Sequence, residues 1–189
     1  VRRLVRLLGI PRNELETLAD AADRHYRPFD QRVRRPDGSE KKRHIDKPDD
    51  RLKRVQSRIY TRLLACVPLP PTMIGGVRGR STRDGASAHL SPQDLVTLDL
   101  SDCFPRTTNR QVFAVFRETL GCSDDVSRLL TRLTTTQGHL PQGAPTSTAQ
   151  SNLCLLPLHR AIARLTGRRG LSMSQYVDDF AISGPSARE

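Results

Sequence analysis

Leu171-Ser172-Met173-Ser174-Gln175-Tyr176-Val177-Asp178-Asp179-Phe180-Ala181-Ile182-Ser183 is the stretch whose reading decides the fold. Apolar residues at Leu171, Met173, Phe180 and Ile182, with Tyr176 and Val177 at the apex, predict two short strands around a tight turn. The turn carries two adjacent carboxylates, Asp178 and Asp179. Asp is a poor strand former and neighbouring like charges repel, so the pair calls for a reason. A solvated Asp-rich turn is the bland one. The sharper one is a hard divalent cation, which is bound through carboxylate oxygens. Choosing between them requires a partner elsewhere in the chain.

That partner is Leu95-Val96-Thr97-Leu98-Asp99-Leu100-Ser101-Asp102-Cys103-Phe104, a β-favouring apolar run whose end delivers Asp99. Two strands side by side, each ending in acid, would place three carboxylates around one or two cations. Two-metal phosphoryl transfer needs such a group: one ion activates the attacking hydroxyl and the other stabilises the leaving oxygen. Between the two acidic motifs stands Leu140-Pro141-Gln142-Gly143-Ala144-Pro145-Thr146-Ser147. Three motifs in this order resemble the prokaryotic reverse transcriptases of the retron and group II intron lineage, and the resemblance covers roughly residues 26 to 183.

Composition agrees with a polyanionic partner. Lys and Arg number 31 against 20 Asp and Glu, a formal charge of +11 and a pI near 10.5. Such a balance favours nucleic acid, although general solubility would also account for it. Aromatic residues are only 4%, so phosphate contact and shape, not base stacking, must dominate binding. Cys66, Cys103, Cys122 and Cys154 show no CxxC spacing and read as small buried hydrophobes of a reducing cytoplasm. No stretch is long and apolar enough to span a membrane, and no signal peptide is visible. The chain starts at Val1 and stops soon after the acidic hairpin, so both ends read as cut.

Along the chain, Val1 to Ile10 has helical spacing up to Pro11, and Asn13 is placed to cap a second helix through about His25. Phe29 to Arg34 and Lys42 to Ile45 flank the turn signal Pro36-Asp37-Gly38, predicting a basic β-hairpin. Asp49 or Asp50 caps a helix to about Cys66, with Leu52, Val55, Gln56, Ile59, Leu63 and Leu64 on its apolar side. Arg51, Lys53, Arg54 and Arg58 form its basic side. Asn109 to Leu120 and Asp124 to Leu133 predict two helices covering one face of the sheet. Thr146 or Ser147 opens a long helix to about Arg164, which Pro157 should kink or end early.

The resemblance implies an α+β fold: the fingers and part of the palm of a right-hand polymerase, an antiparallel sheet backed by helices, with the thumb absent from this chain. Residues 1–25 would be an N-terminal helical segment, 26–90 the fingers and 91–189 the palm. It implies RNA-directed DNA polymerisation from a dNTP onto a primer 3′-OH, with Mg²⁺ or Mn²⁺ as cofactor. Asp99, Asp178 and Asp179 would be catalytic and metal-binding, with the Leu100 backbone carbonyl as a further ligand. Gly38 to Ile45 resembles the fingers hairpin that clamps the incoming triphosphate. Arg43 is the first candidate there, because its planar fork holds two phosphate oxygens; Lys41 is the second. Taken alone, the basic run is a solvated face.

Gln142 and Gly143 would meet the nucleotide near its 3′-OH, the amide donating to and accepting from a sugar hydroxyl. Phe104, five positions after Asp99, corresponds to the bulky residue beneath the sugar that excludes a 2′-OH; without the surrounding motifs it reads as core. Gly75-Gly76-Val77-Arg78-Gly79-Arg80-Ser81 resembles a segment near the template path, with Arg78 and Arg80 as phosphate contacts. His89, in Gly85-Ala86-Ser87-Ala88-His89, reads as a structural hydrogen-bonding residue. Partners implied are an RNA template and primer, dNTPs and a structured non-coding RNA. Two alternatives keep the same acids: a phage-defence relative making untemplated or protein-primed DNA, and a non-catalytic, maturase-like RNA-binding module.

Overall fold

The computed structural model describes residues 1–34, 37–90 and 94–185, so Pro36 of the expected turn lies outside the described residues. In chain order the elements are α1 (Arg2–Leu8), α2 (Arg12–Asp20), β1 (Tyr26–Arg34), β2 (Glu40–Pro48), α3 (Asp50–Arg62), α4 (Thr82–Ser87) and β3 (Asp94–Asp99). Then follow α5 (Cys103–Arg106), α6 (Asn109–Ala114), α7 (Asp124–Thr134), α8 (Ser147–Arg168), β4 (Ser172–Tyr176) and β5 (Asp179–Gly184). Helices and antiparallel sheet together make the mixed architecture expected. Two compact units emerge, each built from two stretches of chain: Val1–Cys66 with Phe104–Ser147, and Val67–Cys103 with Thr148–Glu189. The division expected from sequence ran in three consecutive segments. Chain contacts instead return residues 104–147 to the N-terminal unit.

The first unit is a helical cluster carrying one ribbon. Its core joins Leu15 and Leu18 of α2, Leu52, Val55 and Ile59 of α3, and Leu130 and Leu133 of α7, all buried. Burying a side chain of this size stabilises by about 1.5–3 kcal/mol. α6 and α7, expected to cover a sheet face, pack on each other, and α7 packs on α2 and α3. Gln56 bridges this core, its amide donating to the Tyr26 hydroxyl at 2.7 Å and to the Leu133 carbonyl at 3.0 Å. Burial holds the Tyr26 phenol far above its usual range, although the Gln56 bond pulls the other way.

Helix ends explain two departures from the sequence reading. Asn13 sits inside α2, which starts at Arg12 after Pro11, because a proline at the boundary needs no amide partner there. Arg58, expected on the basic side of α3, donates to the carbonyls of Leu8 at 3.0 Å and Gly9 at 2.7 Å, and Arg62 donates to that of Leu7 at 2.5 Å. Cations at the C-terminal end of α1 satisfy carbonyls that the helix cannot. The expected cap at Asp49 is present. Its Oδ1 accepts from the Leu52 amide at 3.0 Å, and Oδ2 lies 2.7 Å from His25 Nδ1. Partial burial pushes the Asp49 carboxyl up, but these two bonds outweigh it and leave the group below the usual range.

In the second unit β5 is the central strand of the order β3-β5-β4, both pairings antiparallel. The outer edge of β4 is closed by an extended segment: Gln175 N–H donates to the Thr72 carbonyl at 2.7 Å and Ile74 N–H to the Gln175 carbonyl at 2.8 Å. The outer edge of β3 carries no strand among the described residues. α8 runs on through Pro157 to Arg168, so the expected early end does not occur. Leu153 and Leu156 before the proline and His159 after it are all buried, and that packing outweighs the one backbone bond that proline removes. Leu158 and Leu165 of the same helix stand exposed.

The cysteines divide. Cys103 is buried and Cys122 and Cys154 are half-buried, but Cys66 is exposed, against expectation; all four are free thiols. Burial pushes the Cys154 thiol up to about 12, with Cys103 adding to it. No helix among the described residues is long and apolar enough to cross a membrane.

Candidate active site

The β3–β5 register sets Asp99 directly opposite Asp179. Side chains of directly opposed residues leave the same face of a sheet, with Cβ atoms about 4.5–5.5 Å apart. Like charges so placed repel unless a counter-ion lies between them. Asp178 is the last residue of the two-residue turn joining β4 to β5, and its carbonyl accepts from Leu100 N–H at 3.1 Å. The end of β3 is therefore tied to the acidic turn itself. Among the described residues no group of three or more His, Cys, Asp or Glu side chains is gathered closely enough to hold a metal alone. Two of the three expected carboxylates thus meet as register partners, and the closed three-carboxylate cluster is not formed. The donor set, all hard oxygen, still suits Mg²⁺, which keeps several waters and leans on substrate phosphates.

The turn is unusual in its backbone. Val177 has φ 59°, whereas Asp178 is not at positive φ, the pattern of a type II′ hairpin turn. Glycine is the usual residue at that first position; a β-branched one costs on the order of 1–3 kcal/mol there and persists only where its surroundings hold it. Those surroundings are specific. Gln175 Nε2 donates to the Val177 carbonyl at 2.7 Å, Gln175 Oε1 lies 2.7 Å from His159 Nδ1, and His159 Nε2 lies 3.0 Å from Thr72 Oγ1. Gln175 had been legible only as a strand residue, and nothing in the sequence marked His159. Their shared signal, a Gln directly before the Tyr-Val-Asp-Asp motif, has meaning only once α8 is seen beside β4.

On the same sheet face as Asp99 and Asp179, His89 bridges Ser183 Oγ at 2.6 Å and Ser174 Oγ at 2.8 Å, the structural role expected of it. Burial holds its imidazole below the usual range. Arg80 departs from expectation. Its guanidinium donates to the carbonyls of Met73 at 2.6 Å, Leu69 at 2.8 Å and Pro70, so its fork is spent on holding the loop before α4. Arg78 is exposed and remains a candidate phosphate contact.

The five expected nucleotide contacts all fall in the first unit. Lys41 and Arg43 alternate on one face of β2, opposite Val33 and Gln31. Lys42 and His44, on the other face, close on Asp30 at 2.8 and 3.0 Å, while no ion pair involves Lys41 or Arg43 among the described residues. The Gln142 carbonyl accepts from Asp46 N–H at 2.8 Å, seating this loop at the base of β2. Gly143 has φ 114°, and a Cβ there would lie 2.9 Å from Ile45 Cγ2, so only glycine permits this approach. Phe104 lies half-buried on α5, and the chain just beyond it is tied to the same loop, Leu140 N–H donating to the Thr107 carbonyl at 3.0 Å.

A sheet whose strands end in opposed carboxylates defines a class of site, one that presents hard oxygen donors to a divalent cation. The model of the reverse transcriptase (RNA-dependent DNA polymerase) family matches residues 33–189, and the chain belongs to that family. It is 31% identical to the retron Ec86 reverse transcriptase of Escherichia coli over 93% of this chain and 54% of that protein. Against the retron Se72 reverse transcriptase of Salmonella heidelberg it is 27% identical over 94% of the chain and 46% of the relative. For the retron Mx65 reverse transcriptase of Myxococcus xanthus the identity is 34%, over 75% and 37%. The chain spans about half the length, or less, of these curated relatives.

Proposed function

We propose that this chain carries the catalytic part of an RNA-directed DNA polymerase of retron type, adding dNTPs to a primer 3′-OH. The observation that supports it most is the register of Asp99 against Asp179 beside the Asp178 turn, in a chain of this family. Asp99, Asp178 and Asp179 would hold Mg²⁺, with the Leu100 carbonyl as a further oxygen donor. Bound there, the ion would supply charge stabilisation to the phosphoryl group and lower the pKa of the primer hydroxyl. Arg43 and Lys41, on one strand face and in no ion pair among the described residues, would grip the triphosphate; fixed cations stabilise charge that develops during transfer. Gln142 and Gly143 would border the sugar, and Phe104 would exclude a 2′-OH. Arg78 would contact template phosphate, and Arg80 would act by shaping the loop that carries it.

Primer extension by the complete natural protein on an RNA template, with and without Mg²⁺, tests this reading. Templated DNA synthesis that stops when Asp99 is replaced by Asn is expected. Product made with a single dNTP and no template would point to untemplated synthesis instead, and RNA binding without any product to a purely binding module.

A further inference from the structure

We infer that Gln175 and His159, steadied by Thr72, are positioning residues that hold the acidic turn in its strained conformation. The inference rests on the polymerase reading of that turn. Donor and acceptor chemistry leaves the chain of bonds one direction. The Val177 carbonyl can only accept, so the Gln175 amide nitrogen must face it, at 2.7 Å. Gln175 Oε1 is thereby turned to His159 Nδ1 at 2.7 Å, and an amide oxygen only accepts, so Nδ1 carries the proton. In the neutral ring Nε2 is then an acceptor, and the Thr72 hydroxyl at 3.0 Å donates to it. His159 and Gln175 are fully buried, and burial of the imidazole favours its neutral form. Every partner in the series is fixed by the next, and the series ends on the residue with the left-handed backbone.

The opposite side of the turn is closed by packing. A Cβ on Gly75 would lie 2.5 Å from Val177 N and 2.7 Å from Val177 Cγ2, so the Gly75 backbone abuts the turn directly. Asn152 Nδ2 fixes that glycine by donating to its carbonyl at 2.8 Å. Between the Gln175 amide on one side and Gly75 on the other, Val177 has little room to relax, and Asp178 follows it in the chain. None of these groups reaches the reacting atoms, so their effect is on where the carboxylates stand.

The test uses the complete natural protein, with kcat and dNTP KM from primer extension, thermal melting, and nitrogen-15 NMR of the imidazoles. Gln175→Glu keeps the acceptor for His159 but sets an oxygen against the Val177 carbonyl; His159→Leu removes the donor, and His159→Asn restores an N–H close to the Nδ1 position. We expect Q175E and H159L to lower kcat by about 10- to 100-fold, since misplacement on the order of 1 Å has that effect. Their dNTP KM should stay within about twofold, because an interaction that acts on the chemical step leaves ground-state binding alone. H159N should recover most of the loss. Wild-type kcat in both Q175E and H159L, or a loss no larger than the unfolded fraction seen by melting, would overturn the inference. The NMR measurement stands apart from activity and from the folding of any variant: a neutral His159 protonated on Nδ1 supports the relay, and one protonated on Nε2 refutes it. An inactive wild-type protein would count against the polymerase reading while leaving the tautomer result to decide the relay.

Discussion

Two hairpins in this chain do opposite things with charge. Both are antiparallel strand pairs, β1–β2 and β4–β5, and each carries ionised groups on or near its turn. In β4–β5 the strand residues Met173, Ser174, Gln175 and Phe180 are buried, and Val177 in the turn is 9% exposed. In β1–β2 nearly every residue is exposed, and only Tyr26, Asp46 and Pro48 at its base are buried. A two-stranded ribbon without a packed face is marginal by itself. The first hairpin thus has few packing contacts to hold it, whereas the second is held by the buried residues around its turn.

If that contrast holds, the largest effect comes from the buried hairpin. Asp178→Asn should reduce primer extension by at least about a thousandfold, the loss of several kcal/mol of metal-borne stabilisation. Melting should be unchanged or slightly raised, because a like charge beside Asp179 is gone. Retained activity would remove Asp178 from the catalytic group. On the exposed hairpin, Arg43→Ala should raise dNTP KM by about tenfold, the value of a charge-assisted bond, and Lys41→Ala by less. A fall in kcat with KM unchanged would show the ribbon to be as rigid as the acidic turn, and the comparison would break.

How far the sequence alone could be read follows the same division. Apolar spacing around Tyr176 to Asp179 located the two strands and the turn between them, although Asp179 opens β5 and the buried run Met173, Ser174, Gln175 does not alternate. Asp99 was found by a β-favouring run ending in acid, but its register against Asp179 came only from the structure. Contacts outside the local motif were invisible: Arg80 read as a phosphate contact, and its bonds to the carbonyls of Leu69, Pro70 and Met73 could not be seen in the sequence. The same holds for His159, whose role depends on Gln175 and Thr72. Of the two outcomes Pro157 offered, a kink or an early end, the early end does not occur, and only the buried residues on either side show why the helix continues.

Smaller effects sharpen the picture in the first unit. Phe104→Ala should relax discrimination against ribonucleotides by about tenfold, within the range a hydroxyl-sized change in a pocket commands. Competition between dNTP and rNTP in single-nucleotide incorporation measures it, and unchanged discrimination would return Phe104 to a packing role. Smallest is Asp49→Ala, which removes the α3 cap and should cost about 1 kcal/mol by chemical denaturation near neutral pH. The folded Asp49 carboxyl lies below its usual range, so its contribution is present above the unfolded value and is lost as pH falls through the folded one. Wild type and variant should therefore converge in acid. A constant gap across that range would mean that the charge contributes nothing.

The outer edge of β3, which pairs with no strand among the described residues, bears on how the protein behaves in a test tube. Leu95 and Leu98 are each about half exposed along it, 50% and 48%, beside a row of backbone donors and acceptors with no strand opposite among the described residues. An edge of that kind is a template on which another chain can add a strand. Asp94 and Asp99 put a negative charge at each end of it, which discourages addition of a like copy while ionised. Purification in acid, or at divalent-ion concentrations that neutralise Asp99, would take away that protection. Turbidity and loss of monomer should then appear well before the fold itself melts.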